Sequence, residues 1–366
     1  MQKEGILIPS YFNQTEGDKD KIMAELNLLD ITPHQVSRDL RGYSVFFYGE
    51  PKSGKTTIAT KFPRHLLLAF EKGYNAIPGA MAQPINSWGE FRKVLKQLKD
   101  PKVRERFETI IIDTADIAYD LCEKYICANA KRADGGYGVD SVADIPFGKG
   151  YTMVAKEYDE CLRSIVQMDY GLVLISHAVD KTFKDESNLE YSQIVPTLGN
   201  KPRNIVSRMC DIIGYSRGVQ NPDGTTATKL FMRGTPRYVA GSRFKYTPDY
   251  IDFTYNDLVR AIGDAIDKQM AEDGAEYFTD ERNNLYQATA ADLDFDELVE
   301  QFNNTINSLI SSYPEEEFVS YWQPRIIQIT EKYLGKGMKV TQCSRDQVEA
   351  LDLIVTDLNE LINQSK

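Results

Sequence analysis

No apolar run in this 366-residue chain approaches the roughly 18 residues that a membrane-spanning helix needs. The opening stretch, MQKEGILIPSYF, also lacks the apolar core of a secretory signal, so a cytoplasmic location is expected. Cysteine is sparse. Cys122, Cys127, Cys161, Cys210 and Cys343 are odd in number and contain no CxxC pair. They argue against a disulfide framework or a zinc site and fit free thiols in a reducing compartment. The chain shows no internal repeat and no low-complexity tract, and no zinc-finger, helix-turn-helix or RRM pattern is visible.

What is present is ordinary for a soluble globular protein: 42% hydrophobic and 27% charged residues, enough for a substantial core. The length suits one large domain with an appendage, or two domains. A net charge of -11 hides an uneven distribution. Positions 264–366 hold 21 acidic and 8 basic residues, whereas the chain before them is near neutral. Within that earlier part, Lys201 to Lys245 carries nine Lys and Arg against two Asp. An acidic total therefore does not exclude an anionic partner, because binding follows the local field.

Continuous apolar runs alternate with segments of helical period. YSVFFYG, HLLLAF, TIIID and GLVLIS read as buried strands; INSWGEFRKVLKQLKD, with Ser87 as N-cap, and TMVAKEYDECLRSIVQM read as helices. RMCDIIGYSRG and TKLFMRG read as shorter strands joined by a turn at Asn221-Pro222-Asp223-Gly224. The glycine-rich ADGGYGVDSVADIPFGKGY, ahead of TMVAKEYDECLRSIVQM, is expected to be a mobile loop. Buried strands alternating with helices predict an α/β fold with a mostly parallel sheet covered on both faces. A short amphipathic helix is expected over residues 18–29. The divisions read as a lead-in over 1–42, a core over 43–262, and an acidic helical domain over 263–366.

Gly49-Glu50-Pro51-Lys52-Ser53-Gly54-Lys55-Thr56 matches GxxxxGK[ST] in full and lies between a strand and a helix. The glycines let backbone N–H groups wrap a phosphate. Lys55 can reach the β- and γ-phosphates, and Thr56 can ligate Mg²⁺, with Thr57 beside it. Without that context the pattern would be a glycine turn with an exposed lysine. Asp113 ends the TIIID strand, where a carboxylate can hold the metal's water shell. Glu71 and His177 also follow apolar strands and fall at the same sheet edge, where ligands of open α/β sheets collect. Glu71 can polarise an attacking water and His177 can sense a γ-phosphate; the alternatives are a solvated loop glutamate and a histidine at a core edge.

The ordered set FFYGEPKSGKTT, LLLAFEKG, TIIIDTADIA, FGKGYTMVAKEYDECLRSI, GLVLISHA and LFMRGTPRYVAGSRF resembles the phage-encoded, RecA-like P-loop ATPases, some of which act in single-strand annealing or recombination. The resemblance spans about residues 43 to 250. It implies a RecA-like core, with Glu71 as the water-activating glutamate and Asp113 as the Mg²⁺-side aspartate. His177 stands where RecA proteins carry a glutamine that links the γ-phosphate to a DNA-binding loop. Arg243 stands where related assemblies carry a basic residue that enters the neighbouring subunit's site. The tail over 263–366 matches no known activity. Lys181, Lys184, Lys201, Arg203, Arg208, Arg233, Arg237, Arg243 and Lys245, with interleaved Tyr and Phe, fit single-stranded DNA held by backbone charge and base stacking; the plainer reading is that they serve ATP, an interface or solvent. The expected function is Mg²⁺-dependent ATP hydrolysis by a homo-oligomer, ring or filament, acting on single-stranded DNA in the host cytoplasm. The rivals are a nucleotide-switched loader, for instance of a single-strand binding protein, and a small-molecule P-loop kinase.

Overall fold

The computed structural model describes residues 29, 31–132, 134–282 and 293–365. The helix expected over 18–29 lies, but for its last residue, outside them. The chain divides into two compact units, represented among these residues by those up to 282 and by 293–365.

In the first unit, β1 (Val36–Ser37) leads into β2 (Ser44–Gly49), α1 (Lys55–Ala59), β3 (His65–Ala69), β4 (Ala82–Pro84), α2 (Trp88–Gln97) and α3 (Pro101–Arg106). There follow β5 (Thr109–Asp113), α4 (Ala115–Asn129), α5 (Gly150–Gln167), β6 (Gly171–Lys184), β7 (Glu190–Pro196) and α6 (Asn200–Met209). The unit closes with β8 (Ile212–Gln220), β9 (Thr226–Phe231), β10 (Gly241–Ser242), β11 (Tyr250–Asp252), α7 (Tyr255–Asp273) and β12 (Phe278–Thr279). As expected, Ser87 caps α2, its Oγ accepting the Glu90 N–H at 3.2 Å.

The main sheet runs β11-β9-β8-β2-β6-β5-β3-β4, and the six strands from β8 to β4 are parallel. Every residue of β2 and β5 is buried, because SVFFYG and TIIID are interior strands covered on both faces. Phe46, Tyr48, Leu68, Ile112 and Leu174 pack under α2, α4, α5 and α6. Val45, Phe47, Leu67, Ile111 and Ile175 pack under α1 and α7 on the other face. Residue 262 lies inside α7, and Leu258, Ile262 and Ile266 of that helix belong to this second core. This is the α/β arrangement with a mostly parallel sheet that the sequence led us to expect.

Two features differ from expectation. The strand read as GLVLISHA continues to Lys184 and pairs antiparallel with β7, Ala178 opposite Pro196 through Lys184 opposite Glu190. The alternating pattern of 178–184 and 190–196 suits a two-stranded arm, with Phe183 stacked on Tyr191 at 5.8 Å. The glycine-rich stretch carries two short 3-10 turns, Val142–Asp144 and Pro146–Gly148, and leaves Phe147 92% exposed.

The second unit is helical, as expected for the C-terminal region: α8 (Phe295–Ser312), a one-turn α9 (Glu315–Glu317), a π-turn (Phe318–Trp322), α10 (Gln323–Leu334) and α11 (Val348–Gln364). Leu298, Leu351 and Ile354 fill one core, and Leu309, Trp322 and Leu358 fill another.

Candidate functional site

Parallel register fixes the level of each polar group at the carboxyl edge of the sheet. Gly49 pairs with His177 on β6 and with Ser216 on β8, while Ala69 pairs with Asp113 on β5. The chain leaving β2 turns through Lys52 and Gly54, both at positive φ (63° and 90°), before α1 begins. Gly54 meets that left-handed conformation without steric penalty. Gly49 answers a different demand. A Cβ there would lie 2.1 Å from Ser216 Oγ and 2.4 Å from the Ser216 carbonyl, so only glycine lets β2 and β8 approach.

The loop closes around Lys55. Its Nζ donates to the carbonyls of Gly49 at 3.0 Å and Glu50 at 2.7 Å and lies 3.4 Å from Ser53 Oγ, leaving the residue 5% exposed. Burial pushes the ammonium pKa down, while Asp113, Glu71, Asp116 and Glu50 pull it back up. Ser53 Oγ in turn shares a 2.8 Å hydrogen bond with Ser216 Oγ. Pro51 and Glu50 are exposed at the outside of the turn. Thr57 follows in the first turn of α1, and its carbonyl accepts from the Thr60 hydroxyl.

Thr56 Oγ1 donates to Asp113 Oδ2 at 2.7 Å. Asp113 is 2% exposed, and its Oδ1 is buried with no partner. Burial, reinforced by the Glu71 charge, pushes the Asp113 pKa up to about 6, against the opposing effects of the Thr56 hydroxyl, Lys55 and His177. His177 Nε2 stands 3.5 Å from Glu71 Oε2, a long contact, and His177 Nδ1 is buried and unpartnered. Gly73, on the loop after β3, locates these groups relative to one another. A Cβ at Gly73 would lie 3.5 Å from Asp113 Oδ2, 3.5 Å from Glu71 Oε1 and 3.6 Å from Thr56 Oγ1.

The donor set suits a hydrated Mg²⁺. Among the described residues no group of three or more His, Cys, Asp or Glu side chains is arranged to hold a metal. A cation at Thr56 and Asp113 would draw most of its oxygens from water and phosphate, as Mg²⁺ commonly does. The orphaned Asp113 Oδ1 is a lone acceptor for that water shell.

Lys55, Thr56, Asp113, Glu71 and His177 therefore come together, and Arg243 does not join them in its own chain. Arg243 follows β10, which pairs with the first residues of β8, at the sheet edge opposite Gly49. Its Nη1 donates to Asp211 Oδ1 at 3.0 Å and its Nη2 to the Arg208 carbonyl at 2.8 Å. Asp211 also accepts the Ser44 N–H at 2.8 Å, so the pair caps the start of β2. Two residues at the site were not singled out in the sequence. Ser216 supports the loop from β8. Asp116 accepts a hydrogen bond from the Thr197 hydroxyl just past β7, whose N–H donates to the His177 carbonyl at 2.9 Å.

The basic residues fare unevenly. Arg233 donates to the Thr247 and Lys245 carbonyls, Lys245 pairs with Glu272, and Lys184 lies 3.8 Å from Glu190. Arg203 donates to Asn200 Oδ1. Lys181 is half-buried on the arm. Lys201 is exposed, with its ammonium 5.3 Å from the Tyr151 ring centre; Arg208 and Arg237 are exposed as well.

A model of a family described as AAA domain matches residues 41–244. The chain is 32% identical over 347 residues to the SPbeta prophage-derived uncharacterized protein YorG of Bacillus subtilis (strain 168), covering 91% of this chain and 99% of that one. Similar solved structures include the flagellar accessory protein FlaH of Methanocaldococcus jannaschii, at a TM-score of 0.31 and 10% identity, covering 58% of this chain and 85% of that one. The KaiC-like protein PH0186 of Pyrococcus horikoshii OT3 matches at a TM-score of 0.32 and 10% identity, covering 61% and 100% respectively.

Proposed function

The chain belongs to the AAA domain family, and from that premise we propose that it hydrolyses ATP with Mg²⁺ and acts on single-stranded DNA as an assembly of copies. The observation that carries the hydrolytic part is the 2.7 Å hydrogen bond between Thr56 and Asp113, made beside a buried Lys55 and facing Glu71. When bound, the metal supplies charge against the β- and γ-phosphates. Lys55 exchanges the Gly49 and Glu50 carbonyls for phosphate oxygens and provides a fixed, desolvated positive charge. Asp113 and Thr56 orient the hydrated cation. Glu71 takes a proton from the attacking water, and His177, 3.5 Å from it, holds that carboxylate in place.

For the nucleic-acid part, support comes from the surface near the start of α5 and α6. Phe147 and Tyr151 are exposed beside Lys149 and Lys201, a combination that stacks bases and neutralises a backbone. Arg243 is assigned to a neighbouring copy's site, since a head-to-tail assembly sets one edge of a copy against the opposite edge of the next. The test is steady-state turnover of ATP with and without single-stranded DNA. Wild type should release ADP and phosphate faster with DNA, and Lys55→Ala should lose both nucleotide affinity and turnover. Tight nucleotide binding without turnover would favour a nucleotide-switched loader instead. Transfer of the γ-phosphate to a small acceptor would favour a kinase.

A further inference from the structure

We propose that Asp116 and Thr197 form a tie that keeps His177 aimed at Glu71, so that both are positioning residues for hydrolysis. The inference rests on the hydrolytic reading above and names what holds that histidine in place. The His177 ring has little hold of its own. Its Nε2 contact with Glu71 Oε2 is long, at 3.5 Å, and its Nδ1 is buried without a partner among the described residues. A ring held so loosely takes its direction from the backbone that carries it. That backbone is leaving the sheet: β6 last pairs with β5 at Ile175 and with β2 at His177, where Gly49 stands opposite.

Thr197, the first residue past β7, takes over there. Its N–H donates to the His177 carbonyl at 2.9 Å and fixes the peptide plane that follows the histidine. Its hydroxyl shares a 3.0 Å hydrogen bond with Oγ of Ser176, the fully buried residue on the other side of His177. The same hydroxyl donates to Asp116 Oδ2 in the first turn of α4. That contact anchors the set, since a hydrogen bond to an ionised group is roughly twice as strong as a neutral one. Asp116 belongs to the nucleotide edge as well. Burial lowers the Lys55 pKa, and Asp116 is among the carboxylates that pull it back up. The arm therefore has two feet at this edge, His177 outgoing and Thr197 returning, and Asp116 holds the second.

The test uses the full-length protein with Thr197→Val, Thr197→Ser, Asp116→Ala and His177→Ala. Valine keeps the shape of threonine and its backbone N–H but removes the hydroxyl, whereas serine keeps the hydroxyl. Thr197→Val should bind ATP in EDTA with wild-type affinity, lose about tenfold in kcat with Mg²⁺ and keep its KM. Thr197→Ser should recover the rate. Added to His177→Ala, Thr197→Val should cost nothing further, because it acts through that ring. A second readout needs no turnover. The chain has three histidines, so a histidine-labelled sample gives three ring signals by NMR, and His177→Ala identifies one. Without nucleotide, that signal should move in Thr197→Val and in Asp116→Ala and return in Thr197→Ser. An unmoved His177 signal overturns the proposal, as does wild-type kcat in Thr197→Val or a loss that multiplies with that of His177→Ala. In those cases the hydrolytic reading survives on the wild-type rate. A wild type that binds ATP and never hydrolyses it removes both.

Discussion

Asp113 is pulled in two directions by its neighbours, and that tension can be measured. Its pKa of about 6 lies above the ordinary 3.8 because burial and the Glu71 charge outweigh Thr56, Lys55 and His177. Below about pH 4 the folded and unfolded states both hold the proton, and the group contributes nothing. Between there and pH 6 the folded state keeps a proton that the unfolded state has released, so stability falls as pH rises. Above 6 the full penalty is present. In EDTA and without nucleotide, Asp113→Asn should therefore be more stable than wild type at pH 7 by on the order of 3 kcal/mol. The gap should close toward pH 4, as read by denaturant unfolding. An asparagine variant less stable at pH 7 would mean that Lys55 and Thr56 outweigh burial. The groups that make up this site were partly visible in the sequence. Glu71, Asp113 and His177 each follow an apolar strand, and parallel strands deliver such residues to one edge. Ser216 ends DIIGYS with the same signature, but its part depends on β8 lying beside β2, and nothing local records that. Gly73 reads as a turn glycine until the three oxygens around it are located.

At the scale of elements, the contact between β2 and β8 sets the P-loop. Gly49→Ala would force a Cβ to 2.1 Å from Ser216 Oγ and 2.4 Å from its backbone carbonyl, and a paired strand cannot retreat as a flexible side chain can. We expect a loss of roughly 3 kcal/mol in thermal or chemical unfolding together with weakened nucleotide binding, since Ser53 hangs from Ser216. If Gly49→Ala unfolds like wild type, the two strands are not held this closely. The parallel strands and the α2 cap were legible because runs such as TIIID leave few alternatives and Ser87 announces its helix. The arm formed by β6 and β7 was not. Lys181, Lys184 and their neighbours read as a basic segment, and the charges mask the strand alternation beneath them. The arm in fact carries Asp180, Asp185, Glu186 and Glu190 against Lys181 and Lys184, so its charge is not that of a simple DNA clamp.

At the scale of the whole molecule, the role proposed for Arg243 ties the single chain to an assembly of copies. The Arg243 side chain is 63% exposed in the pair with Asp211. The guanidinium side of the pair is open to solvent while Asp211 is only 18% exposed, so the pair is worth on the order of 1 kcal/mol, and a phosphoryl group on a neighbouring copy can compete for the guanidinium. Arg243→Ala should bind ATP but turn it over slowly, whereas wild-type turnover per subunit should climb with protein concentration. Mixing Arg243→Ala with Lys55→Ala should restore part of the rate, because some contacts then join an intact P-loop to an intact arginine. A dilute wild-type monomer with full activity would return Arg243 to its place as a cap on β2. Assembly is where sequence reading stops, since one chain does not state which faces of its copies meet. One strand nevertheless reaches from the site into the surroundings. Beyond His177, β6 runs seven more residues into the arm, a span of about 23 Å, stiffened by its pairing with β7. An extended, paired strand has little slack, so a partner that displaced the tip would be felt at the backbone of the histidine where the arm begins.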